Sequence, residues 1–191
     1  MSRKNSAGSS ITDLIGVMPR CFMNGGDVPV WPFPELGAET FKAGEMVCLS
    51  GSAVNAVGLT KPGTDASGYG ILGFAADNAS GATSSFQGVF VATPDTVFVG
   101  NVGHGTSASA QTAALDLGQL YGLTSLSGRT YVDKSKGGAN TSTAMCRVLG
   151  FFDQDSVPSF YGRVYFQVLG NVCQLTNSIW LNTSSPVSMV V

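Results

Sequence analysis

Residues 41–50 read FKAGEMVCLS, and residues 115–124 read LDLGQLYGLT. The fourth residue of each is a glycine, Gly44 or Gly118, and each opens a run rich in strand-forming side chains. The echo continues downstream. Leu72-Gly73-Phe74 answers Leu149-Gly150-Phe151, and the strand-like GVFV from Gly88 answers GRVYF from Gly162. Gly44 to Gly88 and Gly118 to Gly162 are each 44 positions, so the offset between copies is 74 at both ends. A short, turn-rich β unit used twice predicts an all-β fold, a compact β-barrel or sandwich built from two similar units. The competing explanation is chance recurrence of strand and turn residues in a chain with 25 glycines.

Around these runs the pattern is strands and turns. Strands are expected at 45–50, 53–59, 70–75, 88–92, 96–99, 120–124, 130–133, 144–151, 163–169 and 172–175, divided by Pro-Gly, Pro-Asp, Gly-Gly and Gly-Asn turns. Residues 107–115 are the one helical candidate in this region, weakened by Ser and Thr. Residues 1–40 differ, and predict an extended N-terminal arm. Within it, 11–18 has room for one helical turn, limited by Gly16 and Pro19. Residues 28–37 read VPVWPFPELG, where Pro29, Pro32 and Pro34 impose extended backbone. Trp31 and Phe33 have to bury somewhere, either against their own barrel or on a neighbouring subunit. The organisation is therefore an arm at 1–40, a β-barrel domain at 41–178 and a tail at 179–191 that carries Trp180 and an apolar end. Candidate interface residues are Val30, Trp31, Pro32, Phe33, Pro34 and Trp180.

Composition excludes several classes. A chain of 191 residues suits one domain with a full core, and 43% hydrophobic residues is not a disordered composition. Charged residues are 12%, roughly half the ~25% usual in globular domains. Ten basic residues spread along a chain of net charge −2 make no phosphate-binding face, so no nucleic-acid partner is expected. A surface of small uncharged residues is less costly to bury against neighbours. This suits a crowded assembly as well as a neutral soluble protein. The start, with Arg3 and Lys4, leads into an apolar run broken by Asp13 and too short for a signal peptide, and no run approaches the ~20 apolar residues of a membrane span. The expectation is synthesis and folding in a cytoplasm without membrane contact. Cys21, Cys48, Cys146 and Cys173 are then buried free thiols. The glycosylation patterns at Asn78, Asn140 and Asn182 are chance matches.

Chemical motifs are sparse. The single histidine, His104, lies in the glycine-rich GNVGHGTS, and no serine elbow accompanies it. Zinc would need several close His or Cys ligands. Asp153 and Asp155 read as turn carboxylates rather than a calcium site. Gly68, Gly70 and Gly73 spell GxGxxG, but a polar turn precedes it and β-like ILGFAAD follows, where a dinucleotide site needs a strand and then a helix. The expectation is no enzyme, no cofactor and no metal.

PDTVFVGNV from Pro94, LGQLYGL from Leu117, RTYVDKS from Arg129, VLGFFDQD from Val148 and GRVYFQV from Gly162 occur in an order that resembles the head decoration, or capsid cement, proteins of tailed bacteriophages. The opening run FKAGEMVCLSGSAVNAV resembles the same family, and the likeness covers about residues 41–170. The resemblance implies a non-enzymatic β-barrel on the outer face of the virion head. It would bind major capsid protein and itself, commonly as a homotrimer, bridge capsid subunits and stabilise the head. The alternative is a receptor- or glycan-binding β module of a phage fibre or baseplate, with Trp180 or Tyr121 stacking on sugar.

Overall fold

The computed structural model describes residues 16–50, 58–62, 70–104, 109–137, 143–152 and 158–175. Eleven strands account for nearly half of them: β1 (Met18–Phe22), β2 (Val30–Pro34), β3 (Met46–Ser50), β4 (Gly58–Thr60), β5 (Gly73–Ala75), β6 (Phe86–Val91), β7 (Thr96–Gly103), β8 (Leu120–Leu126), β9 (Arg129–Gly137), β10 (Cys146–Phe151) and β11 (Arg163–Val168). The protein is all-β, as its turn-rich pattern requires.

Ten of the strands form two five-stranded units, and β1 adds to the second of them along β7. The second runs β7-β11-β10-β8-β9 and closes into a barrel through a parallel pairing of β9 with β7, Val102 to Val132 and Gly103 to Asp133. The first runs β2-β6-β5-β3-β4, and an isolated parallel bridge from Glu35 to Leu59 joins its ends at the matching place. The match extends to residue register. In the first unit Cys48 pairs with Thr60 and Leu49 with Leu59; in the second Gly122 pairs with Asp133 and Leu123 with Val132. Val30 opposite Phe90 becomes Val97 opposite Gln167, and Met46 opposite Phe74 becomes Leu120 opposite Arg147. The turns before β3 and β8 agree as well. Gly44 and Gly118 have φ of 80° and 79° and donate to Ala75 and Val148 carbonyls at 2.8 and 2.9 Å. The chain is thus a structural duplication.

The sequence echo marks this duplication correctly at Gly44 and Gly118 but drifts later. Glu35 donates to Ser85 as Val102 donates to Gly162, so Gly162 answers Ser85, not Gly88. Gly73 answers Cys146, so the two Leu-Gly-Phe triplets are not equivalent. Loops of unequal length between strands produce the drift.

Period-two patterning fills each interior. Gln87, Val89 and Val91 of β6 turn inward, as do Val164, Phe166 and Val168 of β11. The first unit's core gathers Phe41, Val47, Leu59, Leu72, Ala75 and Val89. A larger core in the second unit takes in Met46, Ile71 and Phe74 from the first. The Phe74 ring meets Phe98 edge-on at 4.7 Å and Phe166 at 6.0 Å. Met46 also donates its N–H to Thr130 Oγ1 at 2.8 Å, tying β3 to β9.

Several local expectations change. The segment expected as an arm is extended where the structure describes it, yet from Gly16 onward it is woven into the fold. β1 pairs with β7, and β2 pairs with β6 as the first strand of the first unit, so that unit begins ahead of residue 41. Residues 172–175 are not a strand and contribute only the parallel bridge of Cys173 to Ile71. In place of a helix over 107–115 the described residues hold a 3-10 turn at Ala114–Asp116. Residues 1–15, 53–57 and the 179–191 tail lie outside the described residues.

Candidate interaction surface

Proline chemistry places β2. In an antiparallel pair, alternate residues direct their N–H and C=O to the partner and the rest face away. Pro32 and Pro34 have no N–H, so Trp31 and Phe33 are the residues that bond to β6, opposite Val89 and Gln87. Glu35, two further on, donates to Ser85 at 2.8 Å and confirms the parity. The backbone groups of residues 30, 32 and 34 therefore face away from β6, and of these three only Val30 retains a donor. Such an edge resists strand addition and leaves side chains to make any contact.

Those side chains are apolar. Val30, Pro32 and Pro34 share one face of the β2–β6 ribbon with Phe90, Gly88 and Phe86 opposite them. Val30 is 50% exposed and Phe86 67%, while Pro32 is also exposed. Trp31 is 55% exposed. Phe33, with the same parity, packs on the first unit's core beside Leu49. The two fates open to the arm aromatics are thus divided, with Phe33 in its own barrel and Trp31 in solvent. Of the six interface candidates, five are consecutive on β2: Phe33 packs on the core, Trp31 is exposed on that same side, and Val30, Pro32 and Pro34 share the other face with Phe86, which its polar neighbours in the sequence did not single out. Trp180 lies outside the described residues.

Buried carboxylates brace this framework. Glu35, at the end of β2, accepts the Ser80 and Gly81 N–H groups at 2.5 and 3.1 Å and fixes the loop before β6. Asp116 accepts from the Ala113 N–H at 2.7 Å and the Tyr121 hydroxyl at 2.7 Å, and pairs with Lys134 at 2.8 Å. Asp133 accepts from Thr124 Oγ1 at 2.8 Å and from the Ser135 N–H and hydroxyl at 2.9 and 2.6 Å. Each carboxylate is spent on positioning backbone.

Two thiols and two phenols are set against ionisation. Burial, aided by the charge of Glu39, pushes the Cys48 thiol up to about 11. Burial raises Cys146 and Tyr131 as well, and raises Tyr121 with help from Asp116. A thiol that keeps its proton is a poor nucleophile and metal ligand. None of the four cysteines forms a disulfide, and Cys21 is the least buried of them. His104 sits half-buried just after β7. Gly73 lies in β5, where a Cβ would collide with the Phe90 carbonyl, so it serves strand packing and not a phosphate loop. Gly68, Asp153 and Asp155 lie outside the described residues. Among the described residues no cluster of His, Cys, Asp or Glu is arranged to hold a metal, and no helix is long and apolar enough to cross a membrane.

No known family matches this chain, and neither the curated proteins nor the solved structures compared with it include a match.

Proposed function

We propose that the chain is a structural virion protein that decorates a phage head and stabilises it by bridging neighbouring major capsid subunits. The observation that carries this reading is the exposed apolar side chains that the donor-poor β2 edge presents on a braced, duplicated barrel, with Val30, Pro32 and Phe86 on one face of the β2–β6 ribbon and Trp31 on the other. An aromatic anchored on a rigid strand gives up little conformational freedom on docking and is the residue type that dominates interface energetics. The low charge of the chain keeps the desolvation cost of many simultaneous contacts small. In this reading the protein is non-enzymatic, needs no cofactor and acts as a homo-oligomer, a trimer in the arrangement the family resemblance implies.

The glycan-binding alternative loses one of its two aromatic residues. Tyr121 is buried with its hydroxyl held by Asp116, so it presents no open ring to a sugar.

Purified protein mixed with heads of its source virus that lack it tests the proposal by co-sedimentation and imaging. Saturable binding at symmetric sites is expected, with Trp31→Ala weakening it by about 2 kcal/mol or more. Folded protein that fails to bind such heads would overturn it.

A further inference from the structure

Duplication gives both units the same outer face, and the two copies of that face carry opposite chemistry. Pro34 opposite Phe86 answers Asn101 opposite Arg163, and Pro32 opposite Gly88 answers Val99 opposite Tyr165. Phe86 and Gly88 thus stand in the first unit where Arg163 and Tyr165 stand in the second. Gln87 and Val89 turn inward, so a Cβ at Gly88 would point outward, 2.6 Å from Val30 Cγ1 and 2.9 Å from Asp77 Oδ2. The exposed Asp77 carboxylate therefore shares its face with Val30, Pro32 and Phe86, and among the described residues no cation pairs with it. On the second unit the Arg163 guanidinium lies 4.2 Å from the centre of the Phe152 ring, which meets Tyr165 edge-on at 5.5 Å. Arg147, opposite Gln167 on the same face, is exposed.

We propose that copies of this chain associate head to tail, with the face of Val30, Pro32, Phe86 and Asp77 of one copy seated on the face of Arg163, Phe152 and Tyr165 of the next. Phe86 meets the aromatic pair, and the Asp77 carboxylate accepts from the Arg163 guanidinium. A guanidinium stacked on a ring directs its N–H groups sideways, the geometry that grips a carboxylate. Charge selects a second unit as the occupant. Residues 27–95 hold two basic and seven acidic side chains and residues 96–175 hold five and four, a net charge of −5 against +1. Two first units would meet with like charges, and a first unit meets a second with opposite ones. Because the two faces differ, the contact is heterologous: each added copy leaves one face of each kind for the next, until a ring closes. This deepens the homo-oligomer of the proposed function and rests on that reading for its place on a head. Trp31, on the other face of β2, remains available to the shell.

Sedimentation velocity of the full chain tests the contact. The weight-average mass of the parent protein should rise with concentration and fall with added salt. Asp77→Arg and Arg163→Asp should each weaken association about tenfold or more, with far-ultraviolet circular dichroism unchanged. Arg163 also stacks within its own chain, so Arg147→Asp, at an exposed position of the same face, is a second variant and should weaken association severalfold. Mixing decides the orientation. Asp77→Arg protein keeps an intact second face and Arg163→Asp protein an intact first face, so the mixture should form dimers and nothing larger, while each variant alone stays monomeric. A parent protein that is monomeric at every concentration would overturn the proposal. So would association that ignores these substitutions, or a mixture of the two variants that stays monomeric. The isolated protein suffices, so the result is separate from head binding, which Trp31→Ala probes.

Discussion

The two units have the same strand order and register, yet they treat two matched places in opposite ways. Before β3, Phe41 is 1% exposed inside the first unit; at the corresponding point before β8, Leu115 is 85% exposed. The interiors explain this. Val47, Leu72, Ala75 and Val89 of the first unit answer Tyr121, Met145, Val148 and Phe166 of the second, three of which are plainly larger. Phe41 supplies volume that the first unit's strands leave unfilled, and the second unit has no room for its counterpart. The outer edges also differ. The β7 edge is occupied by β1, whereas among the described residues Val30–Pro34 pair only with β6, and Pro32 and Pro34 deprive the other edge of donors. Backbone register is set by turns and hydrogen bonds; what each copy buries or offers is set by side chains that vary on top of it.

Alanine at the two matched positions puts that account under the greatest strain. Phe41→Ala should cost about 3–5 kcal/mol, the range for deleting a fully buried ring. Leu115→Ala should stay within about 0.5 kcal/mol, as expected of a surface side chain. Urea denaturation of both variants measures the gap, and similar losses would mean that Leu115 is packed in solution.

The next effect tests why Leu115 stays outside. Asp116 is buried and holds the 3-10 turn through Ala113, Tyr121 and Lys134. Asp116→Ala should cost about 3 kcal/mol, the low end for breaking a buried pair, because the Lys134 side chain retains 16% exposure and still donates to the Gln111 carbonyl. If the loss is under 1 kcal/mol in a thermal melt, the network does not brace the turn.

How much of this was legible is itself divided between the copies. Gly44 and Gly118 were readable because a left-handed turn demands glycine and the requirement recurs. The extended backbone of 28–37 followed from proline. Its place as the opening strand of the first unit did not, since pairing of β2 with β6 joins residues more than fifty positions apart and leaves no local signature. Nor did the tight turn at Ser127 and Gly128 stand out, though both residues adopt positive φ as a two-residue hairpin requires. The surface was half legible. Trp31 and its prolines announced themselves, whereas Phe86 looks like any strand residue until its exposure is known.

A smaller effect distinguishes the thiols of the first unit. Cys48 ordinarily titrates near 9 and is held up to about 11 in the fold. Between those values the unfolded state has lost a proton that the folded state keeps, so stability falls as pH rises through that window, by ~1.4 kcal/mol per pH unit for this group, and is unaffected by it below pH 9. Tm measured from pH 7 to 11 should be flat at first and then decline, with Cys48→Val declining less steeply. An unchanged slope would assign the alkaline loss to the raised tyrosines, Tyr121 and Tyr131.

The edges should respond without much change in stability. Val97 and Val99 of β7 face β1, which pairs with them through Cys21 and Met18. Val30 and Pro32 are their counterparts on β2, and Pro32 lacks the N–H that such pairing uses. Replacing Pro32 and Pro34 with valine gives β2 the same donors as β7 while keeping an extended, β-favouring backbone. The exchange lies on an exposed edge, so Tm should shift little. What should change is association. An edge with three outward donors and apolar neighbours is a template for a strand from another chain, and sedimentation velocity should show a weight-average mass above that of the parent protein at equal concentration, rising with concentration. Identical sedimentation of the two proteins would mean that the prolines do not guard the edge, and that something else in solution already covers it.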